Sequence, residues 1–132
     1  MVISFDNSLG IHQYSVNLRE RHAEILATNL AHANTPGFKA KGMDFRNTLL
    51  MLTSNLSANF FCTHENHLDA NKTTMSVQQL YRIPTQPDTG DGNTVNVSFE
   101  RNLFMENQIR HRVSVDFLGS KFRNLTKAIK GE

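Results

Sequence analysis

Apolar residues recur at helical spacing at both ends of this 132-residue chain and lose that rhythm in between. Near the start, Ile11, Leu18 and Ile25 repeat every seventh residue, and Tyr14 joins their face. Leu26, Leu30 and Ala33 widen that face, while Arg19, Glu20 and Glu24 fall elsewhere. The period predicts an amphipathic helix from about Leu9 to Ala33. Asp6, Asn7 and Ser8 are candidate caps for its first turn. Its end is marked by Asn34-Thr35-Pro36-Gly37. Proline disfavours helical geometry at Thr35, and Gly37 supplies the positive φ of a sharp turn.

A second helix is predicted from about Asn96 to Lys130, after the dense turn signal Asp88-Thr-Gly-Asp-Gly-Asn93. Asn96 is the candidate N-cap, and Glu100 places negative charge in the first turn. Val115, Leu118, Phe122, Leu125 and Ile129 keep a 3-4-3-4 spacing, the pattern of a coiled-coil seam. Upstream the same register passes through Phe104, Gln108 and His111, so the seam becomes partly polar, which reduces stability and fixes register. Phe99, Leu103, Val113 and Phe117 lie off that line. A helix with more than one apolar stripe is expected to contact several neighbours.

Between the helices the chain reads as irregular. Phe45 to Leu52 has the character of a short helix, and Val77 to Ile83 that of a short strand ended by Pro84 and Pro87. The expected fold is mainly α. Long terminal helices form a coiled-coil-like pair around a middle segment holding short helix and strand pieces. Three parts follow, 1–40, 41–93 and 94–132, acting together as one unit.

Composition sharpens this. Hydrophobic residues make up 39% of the chain and tryptophan is missing, so the core is small. Apolar burial stabilises by roughly 25 cal/mol per Å², and ordering each residue costs on the order of 1–2 kcal/mol. The isolated chain is therefore expected to be marginal, with self-assembly supplying further contacts. The net charge of +2 is unevenly spread: residues 94–132 hold seven basic and four acidic groups. The helical nucleic-acid-binding module is the rival class, resting on Arg110, Arg112, Lys121, Arg123, Lys127 and Lys130. These cations are spread around the helix without an aromatic platform for bases, so nucleic acid is not expected as a partner.

Candidate chemistry is sparse. Cys62 stands alone, which excludes an intramolecular disulfide. His64 and His67, near Glu65 and Asp69, lack the i, i+4 spacing of a zinc helix. Gly90 and Gly92 sit in a polar turn without the Lys and Ser/Thr of a phosphate loop. No enzyme activity, metal or cofactor is expected. No run approaches the ~18 apolar residues of a membrane span, and the first residues lack the basic-then-apolar pattern of a secretory signal.

The residues Asn29-Leu30-Ala31, Ala33-Asn34-Thr35-Pro36-Gly37-Phe38 and Lys39 resemble the N-terminal signature of the bacterial flagellar rod and hook axial proteins. Thr28 and His32 depart from it, standing where that family usually has Asn, and both keep a hydrogen-bonding side chain. Tyr81 to Pro87, Asp91-Gly-Asn-Thr-Val-Asn96, Glu106-Asn-Gln108 and Leu118 to Phe122 resemble the proximal-rod branch, as do Met43-Asp44-Phe45 and Thr63, His67 and Leu68. The likeness runs from about residue 8 to residue 130. It implies a structural rod subunit of the basal body, located in the periplasmic space and exported without a cleaved signal peptide. Implied partners are further copies of the chain, other proximal rod proteins, the rod-base adaptor, the inner-membrane ring and, during secretion, the type III export gate. Phe45 and Leu49 resemble the F-x-x-x-aliphatic motif that docks on that gate. Subunit packing is expected through Ile11, Leu18, Ile25, Asn29, Leu30, Ala33, Val115, Leu118, Phe122, Leu125 and Ile129, around the turn from Asn34 to Phe38.

Overall fold

Gly10 takes a φ of 54°, a value open to a residue without Cβ, and helix α1 (Ile11–Ala31) starts directly after it. The computed structural model describes residues 8–57, 79–84 and 90–131. After α1 come strand β1 (Lys41–Met43), helix α2 (Phe45–Ser57), strand β2 (Gln79–Tyr81) and helix α3 (Val97–Lys130). The long terminal helices and mixed middle agree with the expected fold class. The start of α1 differs in detail. No side chain caps it, Ser8 included, because the positive-φ glycine itself makes the break; Asp6 and Asn7 lie outside the described residues.

The ends of α3 follow sequence signals. The Asn96 side chain accepts from the Phe99 backbone N–H at 3.1 Å, with Glu100 in the first turn. At the other end Gly131 is left-handed at φ 76° and donates to the Lys127 carbonyl at 2.9 Å, with Lys127 and Lys130 in the last turn. Helix α2 runs five residues beyond the predicted Leu52. It is opened by Asp44, whose carboxylate accepts from the Asn47 N–H at 3.0 Å.

The two long helices are antiparallel, since Asn29 near the end of α1 meets Glu100 near the start of α3, and Ser15 meets Ser114. At 1.5 Å per residue α1 is about 31 Å long and α3 about 51 Å, so α3 outreaches its partner. Strands β1 and β2 pair antiparallel, Lys41 opposite Tyr81, Gly42 opposite Leu80 and Met43 opposite Gln79. The Arg82 N–H extends that ladder to the Ala40 carbonyl at 2.9 Å. The small sheet hangs on α1 through Lys41, and α2 through Phe45, whose ring lies 3.6 Å beneath the Arg19 guanidinium.

The buried apolar residues are Leu9, Leu18, Ile25 and Leu26, with Ala40 and Val95 from the segments beside α1 and α3. Asn29, Asn93, Glu100 and Asn107 are equally buried, so polar groups hold a large share of the interior. With so few apolar anchors, each matters. Leu26 is fully enclosed; Leu26→Ala is expected to lower unfolding stability by about 2–5 kcal/mol, seen as a lower urea midpoint. An unchanged midpoint would mean that α1 is held mainly by its polar contacts.

Candidate assembly interface

Two sequence motifs more than fifty residues apart meet at one end of the hairpin. The turn after α1 (residues 32–40) lies along residues 91–95. Gly37 N–H donates to the Asp91 carbonyl at 2.8 Å and Thr94 N–H to the Phe38 carbonyl at 3.0 Å. Ala40 N–H reaches Thr94 Oγ1 at 2.8 Å, and Lys39 Nζ reaches the Gly92 carbonyl at 2.7 Å. Gly37 and Gly92 both have positive φ (72° and 71°) and lie back to back, a Cβ on Gly92 falling 3.7 Å from Gly37 Cα. Here glycine is needed twice, at one contact.

Asn93 seals this clasp. Its Nδ2 lies 3.0, 2.8 and 3.0 Å from the carbonyl oxygens of His32, Ala33 and Thr35, just past the end of α1. Its Oδ1 accepts from Val95 N–H at 2.8 Å, so the one side chain holds both strands of the clasp. Within the turn, His32 donates from Nδ1 to the Thr28 carbonyl at 2.8 Å and stacks on Phe38 with ring centroids 4.5 Å apart. Thr28 donates to the Glu24 carbonyl at 2.8 Å. The two departures from the rod-family signature thus both serve the helix end locally.

Along the hairpin the seam is polar in every second layer. Ser15 meets Ser114 at 3.2 Å, and two heptads away on each helix Asn29 meets Glu100 at 3.1 Å. The same register sets His22 opposite Asn107. Asn107 Nδ2 also donates to the Arg19 carbonyl at 3.0 Å, and Arg19 Nη1 donates to Asn107 Oδ1 at 3.3 Å. Between the polar layers, the register sets Ile25 opposite Phe104, Leu18 opposite His111 and Ile11 opposite Leu118. Burial, the nearby Arg110 charge and, in the opposite sense, Glu106 act on Arg19, whose pKa is lowered on balance.

Asn29 and Glu100 form the most enclosed node. Asn29 Nδ2 donates to the Lys41 carbonyl at 2.7 Å and to Glu100 Oε2, while its Oδ1 accepts from Lys41 N–H at 3.0 Å. Glu100 Oε1 pairs with the guanidinium of Arg82, which also lies over the Phe99 ring at 5.4 Å. One carboxylate therefore ties α1, β1, the end of β2 and α3 together.

Beyond Leu118 the seam face of α3 continues as Phe122, Leu125 and Ile129, past the start of α1. Phe122 is 45% exposed and Ile129 85%. A second stripe, Met105, Ile109, Val113 and Phe117, faces outward and is exposed throughout. Of the remaining expected packing residues, Leu18, Ile25 and Asn29 are buried within the hairpin, and Leu30, Ala33, Leu118 and Leu125 are half-buried. Ile11 and Val115 are largely exposed. Asn34, Thr35, Pro36 and Gly37 are exposed, Phe38 half-buried beneath His32, and Phe45 and Leu49 half-buried on α2. Cys62, Glu65, His64, His67 and Asp69 lie outside the described residues, among which no group of three His, Cys, Asp or Glu could hold a metal.

Sequence reasoning missed Glu100, Asn107, Asn93, Arg82 and Ser114 as joining elements. Upstream of Leu118 the seam steps back four residues to Ser114 and then through His111 and Asn107, not through Val115 and Gln108. The 7-residue recurrence of Glu100, Asn107 and Ser114 was the available signal.

What this geometry defines is a two-helix structural subunit, clasped at one end and bare along its longer helix. No protein-family model matches the chain. Full-length relatives do. The flagellar basal body rod protein FlgB of Aeromonas hydrophila is 43% identical over 132 residues, covering 100% of this chain and 99% of that protein. FlgB of Cereibacter sphaeroides is 35% identical over 128 residues, with 97% and 98% covered. FlgB of Salmonella typhimurium is 32% identical over 139 residues, with 99% of each covered. The chain belongs to the FlgB family of flagellar basal-body rod proteins.

Removing a partner from the node leaves a buried charge or amide without its bonds. Glu100→Ala is expected to lower stability by about 3 kcal/mol, because Arg82 and Asn29 both lose their acceptor. Chemical denaturation measures this; a loss no larger than that of an exposed α3 substitution would show that the node contributes little.

Proposed function

We propose that the chain is a proximal-rod subunit that assembles through α1 and α3 with further copies of itself and with other proximal rod proteins. The observation that supports this most is the overhang of α3, with Phe122 and Ile129 bare on the same face that α1 covers farther back. A seam that keeps its apolar spacing beyond its own partner is suited to another helix. The outward stripe from Met105 to Phe117 offers a second neighbour a surface, as a packed tube requires. In this reading the subunit stands in the periplasmic part of the basal body, between the rod-base adaptor at the inner-membrane ring and the next rod protein. It has a structural role and no catalytic one.

Export is part of the same proposal. The subunit leaves the cell through the flagellar type III apparatus without losing a signal peptide, and Phe45 with Leu49 docks on the gate. Both residues lie at the start of α2, one turn apart. In the folded chain the Phe45 ring is covered by Arg19. Docking therefore engages this segment before the hairpin closes. No helix among the described residues is long and apolar enough to cross a membrane.

Phe122→Asp and Ile129→Asp separate assembly from folding, since both side chains are largely exposed in the single chain. The purified variants are expected to keep their helicity and to unfold within about 0.5 kcal/mol of wild type. In cells lacking the native protein they should fail to restore motility or complete rods in isolated basal bodies. Normal rods from the double variant would remove the α3 overhang from the assembly surface. For export, Phe45→Ala with Leu49→Ala should cut the amount of subunit secreted, and unchanged secretion would remove the docking role.

A further inference from the structure

His22 occupies a seam layer that suits a neutral ring and opposes a cation. Arg19 lies one turn away on α1, and Arg82, at the end of β2, adds a weaker positive influence, being itself paired with Glu100. From α3, Asn107 stands opposite the ring and Glu106 supplies a negative charge, but Glu106 is already paired with Arg110. The Nδ1 atom of His22 is buried without a hydrogen-bond partner. An added proton would therefore sit on a buried ring without an acceptor at Nδ1, one turn from the Arg19 guanidinium, in a layer between the two long helices.

We propose that His22 is a pH-sensitive latch of the α1–α3 hairpin, closing the seam when neutral and loosening α1 from α3 when protonated. Burial first, then Arg19 and more weakly Arg82, hold the His22 pKa below its ordinary 6.5, against the raising effects of Asn107 and Glu106. The unfolded chain, with an ordinary imidazole, binds this proton more readily than the folded one. Stability from this group is therefore complete above about pH 6.5 and falls as acid is added, until the folded imidazole is also protonated. Farther along the seam, His111 Nε2 lies 3.6 Å from Glu20 Oε1.

The latch makes α1 release a response to mild acid, independent of the rod assignment. The seam it opens includes the Ser15–Ser114 and Asn29–Glu100 layers on either side.

The test uses the intact chain at about pH 7.5 and about pH 5.5, with the urea midpoint read by circular dichroism and the His22 ring followed by NMR. Wild type is expected to lose midpoint on acidification, and its His22 ring to titrate below a free imidazole. His22→Gln should lose clearly less. A His22 ring that titrates at or above the free imidazole overturns the proposal, as does a His22→Gln chain that loses as much as wild type. If His22→Gln does not fold at neutral pH, the ring titration of the wild-type chain decides alone.

Discussion

The hairpin depends on burying one carboxylate. Glu100 is almost fully enclosed, and it remains tolerable only because Arg82 and Asn29 both reach it from other elements. A buried ion pair adds little stability compared with an apolar replacement of the same shape, but it is strongly unfavourable to break. Its effect is to make the right arrangement distinct from the wrong ones. Since Asn29 also holds both backbone groups of Lys41, the sheet cannot be misplaced without exposing the same carboxylate to a bare interior.

The rest of the molecule divides its apolar residues accordingly. A modest set closes the inside, led by Leu18, Ile25 and Leu26, and a larger set stays in contact with solvent on α3. In a self-contained domain that distribution would be a liability, because exposed apolar stripes invite association. In the assembly proposed above those stripes are contact surface, and the polar seam has a complementary use. It lets a single chain define its hairpin without spending the apolar surface that neighbours require.

Much of this architecture was legible in the sequence. The helix ends could be read at Asn96 and at the Asn34-Thr-Pro-Gly37 turn because caps and prolines act over a few residues. The apolar spacing of Leu118, Phe122, Leu125 and Ile129 was equally plain. What could not be read was carried by polar side chains acting across long separations. Asn93 looked like one more turn residue, yet it gathers three carbonyls from the end of α1. Asn107 lost out to Gln108 because hydrophobic periodicity is silent where the seam is polar. The likeness to rod proteins marked both halves of the clasp, the 33–39 turn and the 91–96 block, without indicating that they touch.

The heptad recurrence of the polar layers has a mechanical consequence. Sliding α3 along α1 by seven residues would still set polar side chains opposite polar side chains in most layers, so the layers alone tolerate that error. Only at the end node does the slide leave Glu100 without Asn29. Each such step would change the length of bare α3 beyond α1 by about 10.5 Å. Glu100 is thus an end stop: a single carboxylate sets how far α3 reaches beyond α1.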